Sequence, residues 1–398
     1  MKAPRFLLYV IAVLLTPPPA QAALTEAATI ERGMAQPRVR ALLEARVEQA
    51  EGERRTAGRW ENPEVEYSQE NLDLPSGRSE ETIWWLRQRL PLSGSKGLER
   101  DAAGMELEAA RARVDLERRQ WRARIRTQFH DALAARIRVE HLADHHRRLQ
   151  RVATMIEQRV ARGDAARYDS LRMGQELARA RGALAEARAR QQAERAQLFA
   201  LIGGDPETLD GALLPPAAER GDPDLEQHPQ LQMLTALEQS ASLSARAARR
   251  AAWPEVSLGI GRKSLDEDDL SADGSTVALS LEIPLFDRSQ GEAGRAQGRV
   301  HEYVADHALT RTRLRAQRSA LQTTLAAQRE SARGLRQVMT RGEGSLGDLA
   351  ESSYEAGELG VMELLDAWRT ELETRLQYLD TARAARATLI QLQNLEGQ

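Results

Sequence analysis

The sequence contains no cysteine. That excludes disulfides, thiolate metal sites and a cysteine-linked lipid anchor at the start of a mature chain. Aromatic side chains make up only 4% of the 398 residues, whereas charged residues make up 29%. A single packed globular core of that length would need more large apolar groups. Beyond the first 22 residues no apolar run approaches the length of a membrane-crossing helix. Neither sign of charge dominates. The formal net charge is −3, so a general nucleic-acid binder is not expected. The phosphate-cradling G-x-x-x-x-G-K-[ST] loop is missing, and so is the G-x-S-x-G nucleophile elbow. We therefore expect no ATP hydrolysis, no enzyme activity and no cofactor.

What the chain does have begins at its N-terminus. Lys2 and Arg5 precede the apolar stretch "FLLYVIAVLL", and "TPPPAQA" ends in Ala20-Gln21-Ala22. Basic start, short apolar core and A-x-A cleavage pattern predict a secretory signal peptide over 1–22. Its removal takes away two positive charges. The rest is rich in Ala, Leu, Arg and Glu, a composition that favours long helices.

The chain repeats itself. "NPEVEYSQ" from Asn62 matches "WPEVSLGIG" from Trp253, and "RLPLSGSKG" from Arg89 matches "EIPLFDRSQG" from Glu282. "ARGDAARYDSL" from Ala161 matches "AGELGVMELL" from Ala356, and "QPRVRALLEARVEQA" from Gln36 matches "HPQLQMLTALEQSA" from His228. The pairs keep one order and lie about 190 residues apart, the mark of a duplicated unit. The expected organisation is a signal peptide (1–22), a first repeat (23–204), a Gly-, Pro- and Asp-rich linker (205–224) and a second repeat (225–398).

Each repeat reads as one plan. A helical segment near 24–58, and again near 225–251, comes first. Two short strands follow, near 64–70 and 82–90, then near 255–262 and 275–283. A long helix starts near 97, and again near 291, and runs to a glycine turn from which a second helix returns. From 97 to 160 that helix would be about 95 Å long. Trp121, Ile125, Phe129, Leu133 and Ile137 recur every fourth residue, and Leu365, Trp368, Leu372, Leu376 and Leu379 by threes and fours. Such stripes predict lateral helix packing.

The strands alternate. Val277, Leu279, Leu281 and Ile283 share one face, as do Val256, Leu258 and Ile260, while Val65 and Tyr67 oppose Glu64, Glu66 and Ser68. Adjacent Trp84 and Trp85 make the second strand alternate less cleanly. Four such strands leave two open edges and would close a barrel only with strands of other copies. A secreted chain with these strands fits an outer-membrane barrel, with 71–80 and 264–274 as extracellular loops.

Two polar clusters read as structure. His141 and His145 lie four apart on one helix face beside His146, a spacing that could bind a metal, but an ordinary solvated face is the expected reading. "DEDD" at 266–269 lacks the full calcium-loop spacing and reads as a solvated loop.

The duplicated plan, the "NPE" entry to the first strand, the "LRQRLPLSGSKGLER" exit from the second and the two glycine turns together resemble the TolC-type outer membrane efflux protein family. The resemblance covers nearly all of the mature chain. It implies a mainly α fold with a small β part, in which a long periplasmic α-helical barrel continues into a transmembrane β-barrel. It implies a homotrimer giving four strands per protomer, twelve in all. It also implies a passive exit duct docked to an inner-membrane RND-type pump through a periplasmic adaptor. On the matching positions, Gly163 and Gly357 are the periplasmic tip turns, with Tyr354 and Arg167 beside them. Asp169, Glu363 and Asp366 are the carboxylates that would constrict the pore. The family often carries an Arg near the second turn; here that place holds Leu359. "NPEVEYSQENLD" with the strand exit looks most like the heavy-metal efflux branch. Multidrug efflux and type I protein secretion are the alternatives within transport. A periplasmic coiled-coil structural or adaptor protein is the alternative of another class, and it leaves the strands unexplained.

Overall fold

The computed structural model describes residues 23–75, 77–205, 207–216, 224–267, 270–340 and 344–397. The expected signal peptide lies outside them. Two short helices, α1 (Glu26–Met34) and α2 (Pro37–Thr56), lead into β1 (Glu64–Leu74) and β2 (Gly77–Leu90). The long helices α3 (Ser95–Arg162) and α4 (Arg167–Ile202) complete the first repeat. The second repeat holds α5 (Pro229–Arg250), β3 (Glu255–Glu267), β4 (Leu270–Glu282), α6 (Gln290–Met339), α7 (Leu346–Glu355) and α8 (Val361–Glu396).

Local chemistry sets the boundaries. Pro37 and Pro229 both stand in the first turn of their helices, where a missing N–H costs nothing. The 68 residues of α3 extend about 100 Å. The repeats differ in one arm. A single helix was expected from 291 to the second glycine turn, but α6 ends at Met339. α7 restarts behind a capping box in which Asp348 N–H donates to Ser345 Oγ (3.1 Å) and Ser345 N–H to Asp348 Oδ2 (3.5 Å). Gly344 in the connection, at φ +100°, breaks the helical period there.

The helices pack side by side: α3 lies against α2, α4, α5 and α8, and α6 lies against α5 and α8. There is no single core. Small apolar clusters follow one another along the bundle, and one stripe of α8 serves three of them. Leu365 and Trp368 belong to a cluster near the glycine turns, Leu372 and Leu376 pack with Leu142 and Leu184, and Leu379 packs with Phe129 and Leu133. The linker is tied down by Arg386, whose guanidinium donates to Ala212 O (2.7 Å) and Leu213 O (3.1 Å). α1 is tied to α3 by Glu26, which meets Arg126 Nε (2.6 Å) and His130 Nε2 (3.1 Å). A carboxylate only accepts, so His130 carries its proton on Nε2.

The four strands form one antiparallel sheet in the order β1-β2-β3-β4. Both outer edges are open within one chain. The ladders put Val65, Leu86, Ile260 and Val277 in one row and Tyr67, Trp84, Arg262 and Ser275 in the next, on one face. The opposite face carries Glu64, Glu66, Arg87, Arg89 and Glu255 near the helices. The Trp pair is thereby resolved: Trp84 packs at a tilt against Tyr67 on the apolar face (centroids 4.8 Å apart). Trp85 lies on the other face over Gly259 and Gly261, with Arg87 5.4 Å from its ring. A Cβ on Gly261 would come within 2.9 Å of Trp85, so the glycine makes room for the indole.

The strands run beyond their expected ends. The stretches 71–80 and 264–274, read as loops, are mostly strand, because the backbone ladder continues to the pairs Leu74–Gly77 and Glu267–Leu270. Polar composition suggested loops where the chain forms polar strand. Asp266 and Glu267 of the "DEDD" run lie in β3, and positions 268 and 269 fall outside the described residues.

Candidate functional site: the tip of the helical hairpins

Both helical hairpins turn in the same way. At the end of α3, Gly163 (φ +84°) donates its N–H to Val160 O (3.0 Å) and Asp164 N–H reaches Arg159 O (2.8 Å). At the end of α7, Gly357 (φ +81°) donates to Tyr354 O (3.0 Å) and Glu358 N–H to Ser353 O (2.9 Å). This is the Schellman closure, and its left-handed residue favours glycine. Tyr354 is buried, whereas Arg167 is exposed at the first position of α4.

The three carboxylates named from the sequence sit just past these turns. Asp169 is the third residue of α4 and Glu363 the third of α8, so each meets the positive end of its helix dipole. The Glu363 side chain folds back over its own N-cap: a Cβ on Gly360 would lie 2.6 Å from Glu363 Oε2. Asp366 stands one turn further along α8. Glu363 and Asp366 are exposed and Asp169 is half-exposed. None of the three forms an ion pair or side-chain hydrogen bond among the described residues.

Behind them lies an apolar cluster drawn from four helices. Leu149, Val152 and Ile156 of α3, Met173 of α4, Tyr354 of α7 and Leu364, Leu365 and Trp368 of α8 are all buried in it. Leu359, which stands where the resembled family often has Arg, packs against this cluster together with Val160 and Val361. The turn is held by apolar contact at that place.

Polar contacts invisible in the linear sequence fix α7 to this cluster. Gly347 N–H donates to Glu371 Oε2 (2.9 Å), and the buried Trp368 Nε1–H donates to Gly347 O (3.2 Å). Arg148 of α3 reaches Asp348 (3.0 Å) and Asp144 (3.4 Å) and lies 3.8 Å from Glu371, which Arg375 also engages. Burial works to raise the Asp348 pKa, but the bonds from Ser345 and the Arg148 charge outweigh it and hold the carboxyl below its ordinary range. On the other side Glu176 of α4, 7% exposed, gathers Arg179 (3.1 Å), Arg172 (3.8 Å) and, from α8, Arg369. These partners lie up to about 200 residues apart, so no local pattern announces them.

The histidine face differs from its expected reading. His141 and His145 are half-buried and line a narrow cleft with Asp144, Glu371, Leu372 and Arg375. It is a helix–helix seam, not a solvated face. Burial lowers both histidine pKa values, with the Arg375 charge adding at His141 and the Arg148 charge at His145. Two arginines occupy the positive positions of this seam. Among the described residues no three His, Asp or Glu side chains are arranged to hold a metal ion.

No helix of the described residues is long and apolar enough to cross a membrane, which leaves the sheet as the element to consider. Comparison with known proteins places the chain. It is 28% identical over 305 residues to the cobalt-zinc-cadmium resistance protein CzcC of Cupriavidus metallidurans, covering 73% of this chain and 71% of that protein. Its fold matches the crystal structure of a membrane protein from Pseudomonas aeruginosa, with a TM-score of 0.79, 18% identity and coverage of 94% and 93%. It also matches the outer membrane protein VceC of Vibrio cholerae, with a TM-score of 0.75, 17% identity and coverage of 94% and 96%. The family profile described as outer membrane efflux protein matches residues 35–204 and 224–398. With the helical tip, the amphipathic sheet and both repeats matched, the chain belongs to the outer membrane efflux protein family, a family of outer-membrane channels reaching into the periplasm and not of enzymes.

Proposed function

We propose that this channel is the passive exit duct of a tripartite heavy-metal efflux system. Three copies close one twelve-strand β-barrel in the outer membrane and one α-helical barrel in the periplasm. A periplasmic adaptor and an inner-membrane RND-type pump deliver substrate to the tip. The observation that carries the duct reading is the sheet with two open edges, whose half nearer the helices has one apolar face and one charged face. Such a sheet is satisfied only by pairing with further copies. The similarity to a cobalt-zinc-cadmium resistance protein supports metal cations as the cargo. The unpaired Asp169, Glu363 and Asp366, repeated three times about an axis, would attract cations to the narrowest part of the duct. The chain itself supplies no energy, since it lacks a nucleotide-binding loop.

The reading is tested by deleting the gene, complementing it, and measuring growth on cobalt, zinc, cadmium, copper and silver salts beside dyes and antibiotics. Sensitivity confined to metals, reversed by the intact gene, is the expected result. Sensitivity to dyes and antibiotics alone would move the duct to multidrug efflux. A defect only in an exported protein would move it to secretion.

A further inference from the structure

The outer face of the sheet changes from apolar to polar partway up the strands. On the outer face, from Ile283 up to the row of Val65, Leu86, Ile260 and Val277, there is no charged side chain. The one amide in that band, Gln88, donates both of its N–H groups to the backbone carbonyls of Glu61 (3.0 Å) and Arg89 (2.9 Å). Val277 and Leu279 are 76% and 74% exposed. The next row brings the Tyr67–Trp84 pair and Arg262, whose guanidinium reaches Asp273 (3.2 Å). Above it the same face turns polar, with Gln69, Thr82, Ser264 and Asp273, then Asn71, Glu80, Asp266 and Ser271. At that height the opposite face is mixed: Leu72, Leu265 and Leu270 stand there among Glu70, Glu81, Lys263 and Glu267, and Lys263 pairs with Glu81 (2.6 Å). A strand embedded over its whole length would keep its outer face apolar to the top.

The lower limit is marked as clearly. Trp60, Trp253 and Phe286, flanking the helix-side ends of β1, β3 and β4, are 62%, 66% and 96% exposed. Aromatic girdles flank the apolar band of such barrels, and the amphipathic indoles of Trp60 and Trp253 suit the boundary between acyl chains and headgroups. From Ile283 to the Tyr67–Trp84–Arg262–Ser275 row is about 27 Å along a strand at about 3.4 Å per residue. At the roughly 40° tilt of barrel strands that is about 20 Å of height, against about 25 Å for a usual apolar band.

Resting on the reading that this sheet closes into a barrel, we infer that acyl chains cover only the lower half of the sheet, from the Trp60–Trp253–Phe286 ring to the Tyr67–Trp84–Arg262 row. The upper half stands about 15 Å further out, among the polar headgroups of the outer leaflet. The belt matches a thin membrane. The bulk of the polar strand residues that composition assigns to loops forms the wall of a rigid collar around the mouth.

The chain has no cysteine, so single cysteines can be placed without background. Leu279→Cys, Ser275→Cys and Ser271→Cys on the outer face of β4 would each carry a polarity-sensitive fluorophore in full-length protein reconstituted into phospholipid vesicles. Quenching by lipids brominated along the acyl chain is compared with quenching by iodide in the buffer. Acyl-chain quenching several-fold stronger at Leu279→Cys than at Ser271→Cys, with Ser275→Cys between them and iodide in the reverse order, is expected. Equal acyl-chain quenching at Leu279→Cys and Ser271→Cys would overturn the half-height belt while leaving the barrel intact. Iodide quenching at all three positions would mean that the sheet is not inserted, and would overturn the barrel reading itself.

Discussion

Gly347→Ala is a one-carbon perturbation with a calculable effect on the tip. The added Cβ would fall inside van der Waals distance of Glu371 Oε2 and 2.9 Å from both Arg148 Nη1 and Trp368 Cδ1. Glu371 cannot swing away freely, because Arg375 and Arg148 hold it and its side chain is 13% exposed. Trp368 is 2% exposed in the four-helix cluster and cannot swing freely either. Yielding means losing the Gly347 N–H to carboxylate bond, about 1.5–3 kcal/mol, and forcing a close-packed indole to shift, about 1 kcal/mol or more. We expect a total loss of about 2–4 kcal/mol, concentrated at the tip. Gly174→Ala in α4 is the control. Its Cβ meets nothing within 4 Å, so helix propensity alone acts and should stabilise by up to about 1 kcal/mol. The assay is limited trypsin digestion of folded protein, with cleavage after the arginines near the turns followed by mass spectrometry, beside thermal loss of helical circular dichroism. Faster tip cleavage in Gly347→Ala and unchanged or slower cleavage in Gly174→Ala support the reasoning. Equal digestion of both variants and wild type would refute it, since the contacts around Gly347 would then carry no energy.

Three further outcomes follow from the same structure. Replacing Glu363 and Asp366 by Ala should lower the cation-to-anion permeability ratio in planar bilayers. A charge about 10 Å from a passing ion in water is worth about 0.4 kcal/mol, or about twofold per carboxylate; an unchanged ratio removes both from the pore lining. Burial raises the Glu26 pKa, yet the bonds from His130 and Arg126 prevail and bring it from 4.5 to about 2. The stabilisation is therefore present above about pH 4.5 and lost as the pH falls towards 2, and solvent at this quarter-exposed carboxylate limits it to about 1–2 kcal/mol. Glu26→Gln should melt below wild type at pH 7 with the gap closing by pH 2, and a gap that stays constant with pH contradicts the pairing. Carbonate washing of membranes should leave the protein in the outer-membrane fraction, whereas a peripheral coiled-coil adaptor would be released.

Much of this architecture was legible in the sequence because it is periodic or local. The α8 stripe from Leu365 to Leu379 needed only a 3.6-residue period, and Gly163 and Gly357 needed only the demand of a left-handed closing residue. The β strands were legible where one face is apolar and the other polar. They were lost over 71–80 and 264–274, where polar residues occupy a ladder that composition cannot distinguish from a loop. The restart at α7 was hidden because the second arm was expected to copy the first. The Arg148–Asp348 and Glu176–Arg369 contacts were out of reach, since they depend on which helices become neighbours. The same cause turned the His141–His145 face from a solvated surface into a seam against α8.

Passage of metal cations through the duct can be read from the metal content of cells. Cells lacking the gene, with and without a plasmid copy, are loaded with cobalt, zinc or cadmium, and retained metal is followed by mass spectrometry after transfer to metal-free medium. Slow loss in the deletion strain and restored loss on complementation are expected. Identical loss of all three metals in both strains, with a difference appearing only for dyes or antibiotics, would contradict that expectation.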